Sequence, residues 1–250
     1  MRDREVCITG RHGFIGAALA KHYGAVTSFP VPETRILFHF GSYTHPTFEQ
    51  NPHYLMQQQL EEFSRLLLHC YDHGIRFVYP SSALIYERDT QFSLFKKTLE
   101  RLTECYETRT LGLRIFPVYG PGETRTVISQ WARQMARGEA PIVYGDGEQS
   151  RAFIYIDDAV GQIVELVERC AHRSGVHDVG SDTRIVFNDI VGEINKQLGT
   201  EIKPRYVNRP SSYSEGFVCP NPLPVKVPIN VGIRNILNAL KCSNQELSRQ

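Results

Sequence analysis

Three glycines spaced three apart, Gly10, Gly13 and Gly16, follow directly on the extended run Val6-Cys7-Ile8-Thr9. Small and apolar residues come next, Ala17-Ala18-Leu19-Ala20, and these open a helix. No other stretch restricts the fold as tightly. A strand that turns through glycine into a helix leaves the helix's first N–H groups without intrahelical partners, and such a terminus attracts an anion. The first glycine permits the tight turn. The second lets backbone N–H groups approach a phosphate, and the third lets helix and strand pack closely. The spacing fits a dinucleotide pyrophosphate; the fragment alone also fits an ordinary glycine-rich strand–helix turn.

Hydrophobic periodicity extends the pattern. Strand signals recur at Ala25–Phe29, Arg35–Phe40, Arg76–Tyr79 and Leu111–Phe116, with helical spacing between most of them. Leu55, Gln59, Phe63, Leu66 and Leu67 mark one helix, stopped at His73-Gly74; Phe92, Phe95, Leu99 and Leu102 mark another. Alternation of this kind predicts an α/β fold, a doubly wound parallel sheet with helices on both faces. Beyond Phe116 the chain turns through Pro117–Gly122 and changes character. Val127, Ile128, Trp131 and Met135 predict a helix ending at Gly138. Pro141–Tyr144 and Arg151–Ile156 flank Asp146-Gly147, a hairpin signal. Asp157 or Asp158 is expected to cap one helix and Asn188 another. The Pro-, Ser- and Asn-rich stretch Pro204–Pro228 predicts an ordered loop over a cleft, and Val231–Leu240 a closing helix.

The 250 residues carry a net charge of +1, which supplies no field to gather nucleic acid or an anionic membrane. Basic residues are dispersed and not interleaved with aromatics, so nucleic acid is not an expected partner. No apolar run reaches membrane-spanning length, and the N-terminal one is broken by Arg11 and His12. Six scattered cysteines without a CxxC are expected to be reduced thiols in a cytoplasmic protein. His69 and His73 have a metal-compatible spacing but lack a third ligand, so a solvated helix end is expected and no metal. Ser82 is not framed by G-x-S-x-G, which argues against a hydrolase nucleophile.

Five fragments in order resemble the extended short-chain dehydrogenase/reductase family, the NAD(P)-dependent nucleotide-sugar epimerases and dehydratases. Thr9-Gly-Arg-His-Gly-Phe-Ile-Gly16 resembles TGxxGFIG, and Ile36-Leu-Phe-His-Phe-Gly-Ser42 resembles VxHLAA. Phe77-Val-Tyr-Pro-Ser-Ser-Ala-Leu-Ile-Tyr86 resembles FVYxSSxxVYG, and Leu113–Gly122 resembles LRxxNVYGPG. Tyr144–Asp158 resembles YGDGxQxRDFxYVDD. The resemblance implies a Rossmann-like lobe over 1–118, completed by about 153–182, and a smaller substrate-binding lobe over 119–152 and 183–250. It implies a cofactor site at Gly10, Arg11, Gly13, Phe14, Ile15, Gly16, Phe40, Gly41 and Lys96. It makes Ser82 the serine that meets the reacting oxygen, Lys96 the ribose anchor, and Arg151 and Arg209 the arginines that fork onto a nucleoside diphosphate. It also implies a homodimer through helices at 54–73 and 92–106.

The departures are specific. Lys96 and Glu100 keep the spacing of the family's YxxxK helix, which puts Phe92 where the proton-carrying tyrosine belongs. Tyr86 and Tyr43 are the candidate substitutes. Between the glycine turn and the VxHLAA-like strand the chain is short, and Glu33 is the only carboxylate near the expected adenine-ribose position. Arg11 within the turn is placed to meet a 2′-phosphate, which leans the expected cofactor from NAD toward NADP. The family asparagines are represented by Pro117 and Gln59. The leading expectation is an enzyme acting on a nucleoside diphosphate sugar through a transient ketone. Its alternatives are a catalytically degenerate binding protein and an NADPH-dependent reductase of a non-sugar carbonyl.

Overall fold

The computed structural model describes residues 5–24, 27–48, 50–87, 89–106, 109–209, 216 and 218–247. The chain runs β1 (Val6–Thr9), α1 (Phe14–Tyr23), β2 (Ile36–His39), α2 (His45–Phe48), α3 (Pro52–His73) and β3 (Arg76–Ser82). A 3₁₀ turn (Ala83–Tyr86), α4 (Gln91–Glu104), β4 (Thr110–Ile115), β5 (Val118–Tyr119), α5 (Val127–Ala136) and β6 (Ile142–Tyr144) follow. Then come β7 (Ser150–Ala152), β8 (Ile154–Tyr155), α6 (Ile156–Arg169), β9 (Gly175–Val179), β10 (Arg184–Val186), α7 (Phe187–Leu198), β11 (Arg205–Val207) and α8 (Ile229–Leu247). Two compact units result: Met1–Ile115 with Val160–Val179, and Phe116–Ala159 with Gly180–Gln250.

The first unit is built on a parallel five-stranded sheet in the order β1-β2-β3-β4-β9. Its strands are apolar on both sides because helices cover both faces. Cys7, Leu37 and Phe77 pack with Phe63, Leu67 and Cys70 of α3 and with Phe92, Phe95 and Leu99 of α4. On the other face Tyr23 of α1 packs on Phe38, ring centroids 5.4 Å apart. Arg76, also buried, donates to the carbonyls of Val167 and Cys170 and so closes the end of α6. Local chemistry sets the helix limits. Pro52 sits in the first turn of α3, and Gly74 ends that helix in the left-handed region with φ +63°. Thr90 and Ser93 form a reciprocal capping box at the start of α4.

The second unit holds three short pairs: β5 with β8 and β6 with β11, both parallel, and β7 with β10, antiparallel. Helices α5, α7 and α8 bury Ile128, Trp131, Met135, Phe187, Ile190, Ile194, Ile233 and Leu237. The Trp131 indole donates to the Ile142 carbonyl and ties α5 to β6.

Several expectations are corrected. Asp146-Gly147 joins no hairpin, since β6 and β7 each pair with a different strand. Asp158 lies inside the first turn of α6 and caps nothing there; its carboxylate accepts the N–H groups of Lys226 and Val227. Asn188 lies inside α7, whose N-cap is Val186, and its amide donates to Asp146 O and Glu148 Oε1. The expected strand at Ala25–Phe29 shortens to a single bridge, Thr27 to Cys7; Ala25 and Val26 lie outside the described residues. So do 210–215 and 217, within the expected loop at 204–228, in which β11 is a strand.

Candidate functional site

At the carboxyl end of β1, Gly10 takes φ +71°. A Cβ there would lie 2.5 Å from Gly41 N and from the Phe40 carbonyl, so only glycine lets the ends of β1 and β2 come this close. A Cβ at Gly16 would collide with Gly10 O, which is the close helix–strand approach expected of the third glycine. Gly13 is the N-cap of α1; it offers no side-chain cap, and the first turn carries no acidic residue. Arg11, His12 and Gly13 are exposed and Phe14 and Ile15 half-buried. Helix-end N–H groups and the positive end of the helix dipole fit an anion such as a dinucleotide's pyrophosphate. Thr9 closes the floor: its hydroxyl bonds His39 Nδ1 at 2.7 Å and accepts from Gly41 N–H at 3.4 Å. Burial, with Lys96 and Arg65 nearby, holds the His39 pKa down at about 4, so this ring is neutral at pH 7.

Lys96 is brought to the same end of the sheet by α4. Its ammonium donates to Pro80 O at 3.0 Å and Ser42 Oγ at 3.3 Å, and lies 5.4 Å from the centre of the Phe92 ring. Burial lowers its pKa to about 8. Phe92 is itself buried, edge-on to Phe48 at 5.4 Å. Phe92 therefore stands one helical turn from Lys96 with a ring and no hydroxyl. Ser82 ends β3, two residues after Pro80, and its Oγ accepts the Leu84 N–H at 3.2 Å as the N-cap of the 3₁₀ turn. Gln59 lines a small cavity with His39, Ser42 and Lys96. Its carboxamide is buried, and neither polar atom has a hydrogen-bond partner among the described residues.

Tyr86 points elsewhere. Its hydroxyl donates to Asp178 at 2.8 Å and accepts from Arg114, which also forks onto Glu100 through Nε at 3.0 Å and Nη2 at 2.8 Å. Ser81 donates to the same Glu100. Sequence reasoning missed this network, although Arg114 stands in one of the fragments that carry the resemblance and Glu100 keeps the spacing of the family's YxxxK helix. A cavity of about 580 Å³ beside it is lined by Lys97, Arg101, Glu104 and Arg114, but Lys97 pairs with Asp89 and Arg101 with Glu104.

Within the second unit, Arg151 lies on β7 with its guanidinium 5.9 Å from the Phe187 ring centre. Arg209 Nη2 donates to Gln149 Oε1 at 3.0 Å and Asp146 Oδ1 at 3.3 Å, reaching the residue that precedes β7, two before Arg151. Gly145 has no Cβ where the Arg209 guanidinium passes, so the glycine-rich turn that mimics a hairpin is what admits this arginine. Among the described residues no group of three or more His, Cys, Asp or Glu is placed to hold a metal; His69 and His73 stack on each other 4.2 Å apart. No helix among them is long and apolar enough to cross a membrane.

Residues 33–180 match the model of the NAD dependent epimerase/dehydratase family. ADP-L-glycero-D-manno-heptose-6-epimerase of Cupriavidus pinatubonensis (strain JMP 134 / LMG 1197) is 29% identical over 199 residues, 68% of this chain and 60% of that protein. The chain thus spans about three fifths of the length of the curated relatives it matches. Among solved structures, UDP-N-acetylglucosamine 4-epimerase from Methanobrevibacter ruminantium M1, in complex with UDP-N-acetylmuramic acid, superposes with a TM-score of 0.87. It is 18% identical and covers 97% of this chain and 100% of its own. MoeE5 in complex with UDP-glucose and NAD superposes with a TM-score of 0.83 at 20% identity, over 96% and 99% of the two chains.

Proposed function

The chain belongs to the NAD dependent epimerase/dehydratase family, and from that membership we propose that it binds NAD(P) in its first unit and modifies a nucleoside diphosphate sugar through a transient ketone. The observation that carries this reading is the glycine turn at Gly10, where β1, β2 and α1 approach closely and α1 starts at Gly13 with no side-chain cap, an arrangement suited to phosphates. The dinucleotide, when bound, supplies a nicotinamide that takes and returns a hydride. The chain's own residues bind, orient and move protons.

Lys96 holds the ribose hydroxyls. Its ammonium has three protons to donate and two acceptors in the structure, Pro80 O and Ser42 Oγ. Ser82 accepts one bond through its oxygen and keeps its own proton for the sugar oxygen that becomes the carbonyl. At position 92 there is no phenol whose pKa Lys96 could lower, so the proton of the sugar hydroxyl leaves by another hydroxyl or by solvent. Tyr86 is held by Asp178 and Arg114 and does not serve; Tyr43, two residues after Gly41 and partly exposed, is the remaining tyrosine of the notable pair. In the second unit Arg151 and Arg209 take the diphosphate of the sugar nucleotide, each forking onto its oxygens. Arg11 in the turn favours NADP over NAD, with Glu33 the carboxylate near the expected adenine-ribose position.

Phe92 favours one competing reading, a family member that binds its ligands without turnover. Incubation with NADP⁺ or NAD⁺ and a panel of nucleoside diphosphate sugars in deuterated water separates the two. Deuterium in recovered sugar, or a transient rise in reduced-nicotinamide absorbance, is the expected result. Binding without either signal supports the competitor, and no dinucleotide binding at millimolar concentration removes both. The proposal extends to assembly: α3 and α4 expose Tyr54, Leu68, Tyr71 and Leu94, an apolar surface suited to a homodimer.

A further inference from the structure

Position 92 offers Lys96 a ring and no hydroxyl, so the proton that a phenol would carry needs another group within reach of the lysine. Among the described residues the ammonium donates to Pro80 O at 3.0 Å and to Ser42 Oγ at 3.3 Å. These two partners are not equivalent. A carbonyl oxygen only accepts, whereas a hydroxyl accepts from an ammonium and donates to an amine. While Lys96 is charged, its three N–H groups serve Pro80 O, Ser42 Oγ and a ribose hydroxyl. Once it is neutral, two N–H groups still serve the carbonyl and the ribose, and the nitrogen lone pair takes the Ser42 proton. Of the two, Ser42 alone lets the buried lysine change its charge without orphaning a donor or an acceptor.

The surroundings make both states reachable. Lys96 is sealed from solvent, and burial lowers its pKa to about 8, so roughly a tenth of the molecules carry the amine at pH 7. The titratable groups that line the cavity with Lys96 and Ser42 are His39 and Tyr79, and burial holds both neutral at pH 7. Glu100, one helical turn further along α4, is taken by Arg114 and Ser81. Ser42 itself is half-buried, not sealed. It directly follows Gly41, whose nitrogen abuts Gly10, so its backbone stands one residue from the glycine turn.

We propose that Ser42 is the acid/base hydroxyl of this protein, taking the proton of the sugar hydroxyl while passing its own to the amine of Lys96. The inference rests on the function proposed above. The sugar O–H breaks as a new O–H forms on Ser42, and the former Ser42 O–H breaks as an N–H forms on Lys96. The hydride leaves the same sugar carbon for the oxidised nicotinamide, which leaves a carbonyl on the sugar and an ammonium on Lys96. Return of the hydride reverses each transfer.

Two measurements test this. In the chain alone, NMR of lysine labelled at the ε carbon follows the Lys96 titration, with Lys96→Met identifying the signal. Ser42→Ala takes an acceptor from the ammonium and is expected to lower the titration midpoint by about one pH unit, while Ser42→Thr keeps it. With NADP⁺ and the panel of nucleoside diphosphate sugars in deuterated water, Ser42→Ala is expected to slow the deuterium or reduced-nicotinamide signal about 100-fold and to keep NADP⁺ affinity; Ser42→Thr restores the signal. Far-ultraviolet circular dichroism verifies that the variants keep the fold. An unmoved Lys96 midpoint in Ser42→Ala, or full turnover by that variant, overturns the proposal and leaves the proposed function standing. Turnover lost in Ser42→Thr as well marks a structural role and also overturns it. An unaltered chain that binds NADP⁺ and gives neither signal with any sugar overturns turnover itself, and the role of Ser42 with it.

Discussion

Lys96 shows how far one side chain's chemistry depends on its surroundings. Removed from water, its ammonium has a pKa of about 8, against about 10.4 in an unfolded chain. Between those values the unfolded chain keeps a proton that the folded protein has shed, so stability rises with pH across this window and is lost again as pH falls through 8. The expected gain is about 2 kcal/mol between pH 8 and 9.5. Denaturant titrations at a series of pH values measure it, with Lys96→Met as the reference that lacks the rise; parallel profiles would contradict the burial. Gly10 is constrained differently. Gly10→Ala is expected to cost about 1–3 kcal/mol through backbone strain alone and to abolish dinucleotide binding, because the added carbon meets Phe40 and Gly41. Unchanged denaturation midpoints and unchanged binding would contradict that geometry. The glycine pattern was legible in the sequence because each glycine answers a local demand of φ or close approach. The burial of Gln59 without a hydrogen-bond partner among the described residues was not legible, since it depends on what β2, β3 and α4 bring around it.

At the level of elements, legibility followed the same division between local and distant causes. Helix α3 was readable to its last residue because its apolar stripe and Gly74 are encoded within it. The turn at Gly145–Gly147 has the chemistry of a hairpin, and both glycines do take positive φ, yet β6 pairs with β11 and β7 with β10. Turn propensity is local, whereas pairing is settled by residues sixty and thirty positions further along. Asn188 misled for the same reason: its amide finds partners at Asp146 and Glu148 rather than at its own helix start. The exposed face of α3 supports a prediction of its own. Tyr54, Leu68 and Tyr71 lie within about 100° of one another around the helix axis. Leu68→Glu combined with Tyr71→Glu is expected to convert a dimer to a monomer in sedimentation velocity. A monomer in the unaltered protein at high concentration would remove the dimer from the proposal.

For the whole molecule, the proposed function assigns one anion site to each unit, one of backbone N–H groups and the other of guanidinium groups. Their ligands should therefore stabilise the protein independently. A ligand that binds only the folded state at 100 times its dissociation constant adds about 2.7 kcal/mol, enough to shift the melting temperature by several degrees. Arg151→Ala is expected to remove the shift caused by a nucleoside diphosphate while keeping the one caused by NADP⁺. Gly10→Ala should do the reverse. Loss of both shifts in either variant, measured by scanning calorimetry, would argue against separate sites. Phe92 in the tyrosine position and the short stretch after the glycine turn were legible in the ordered motifs, whereas the rerouting of Tyr86 depends on Arg114 and Asp178, which β4 and β9 bring to it.

The single bridge at Thr27 has one further consequence. The Ile8 side chain is sealed from solvent, yet its amide proton goes to Thr27 O, on a segment whose described residues are fastened to β1 by two hydrogen bonds. Isotope exchange at that amide will report the loosening of this short flap and not the unfolding of the core around it, so β1, at the end of the sheet, should trade this proton sooner than its burial suggests.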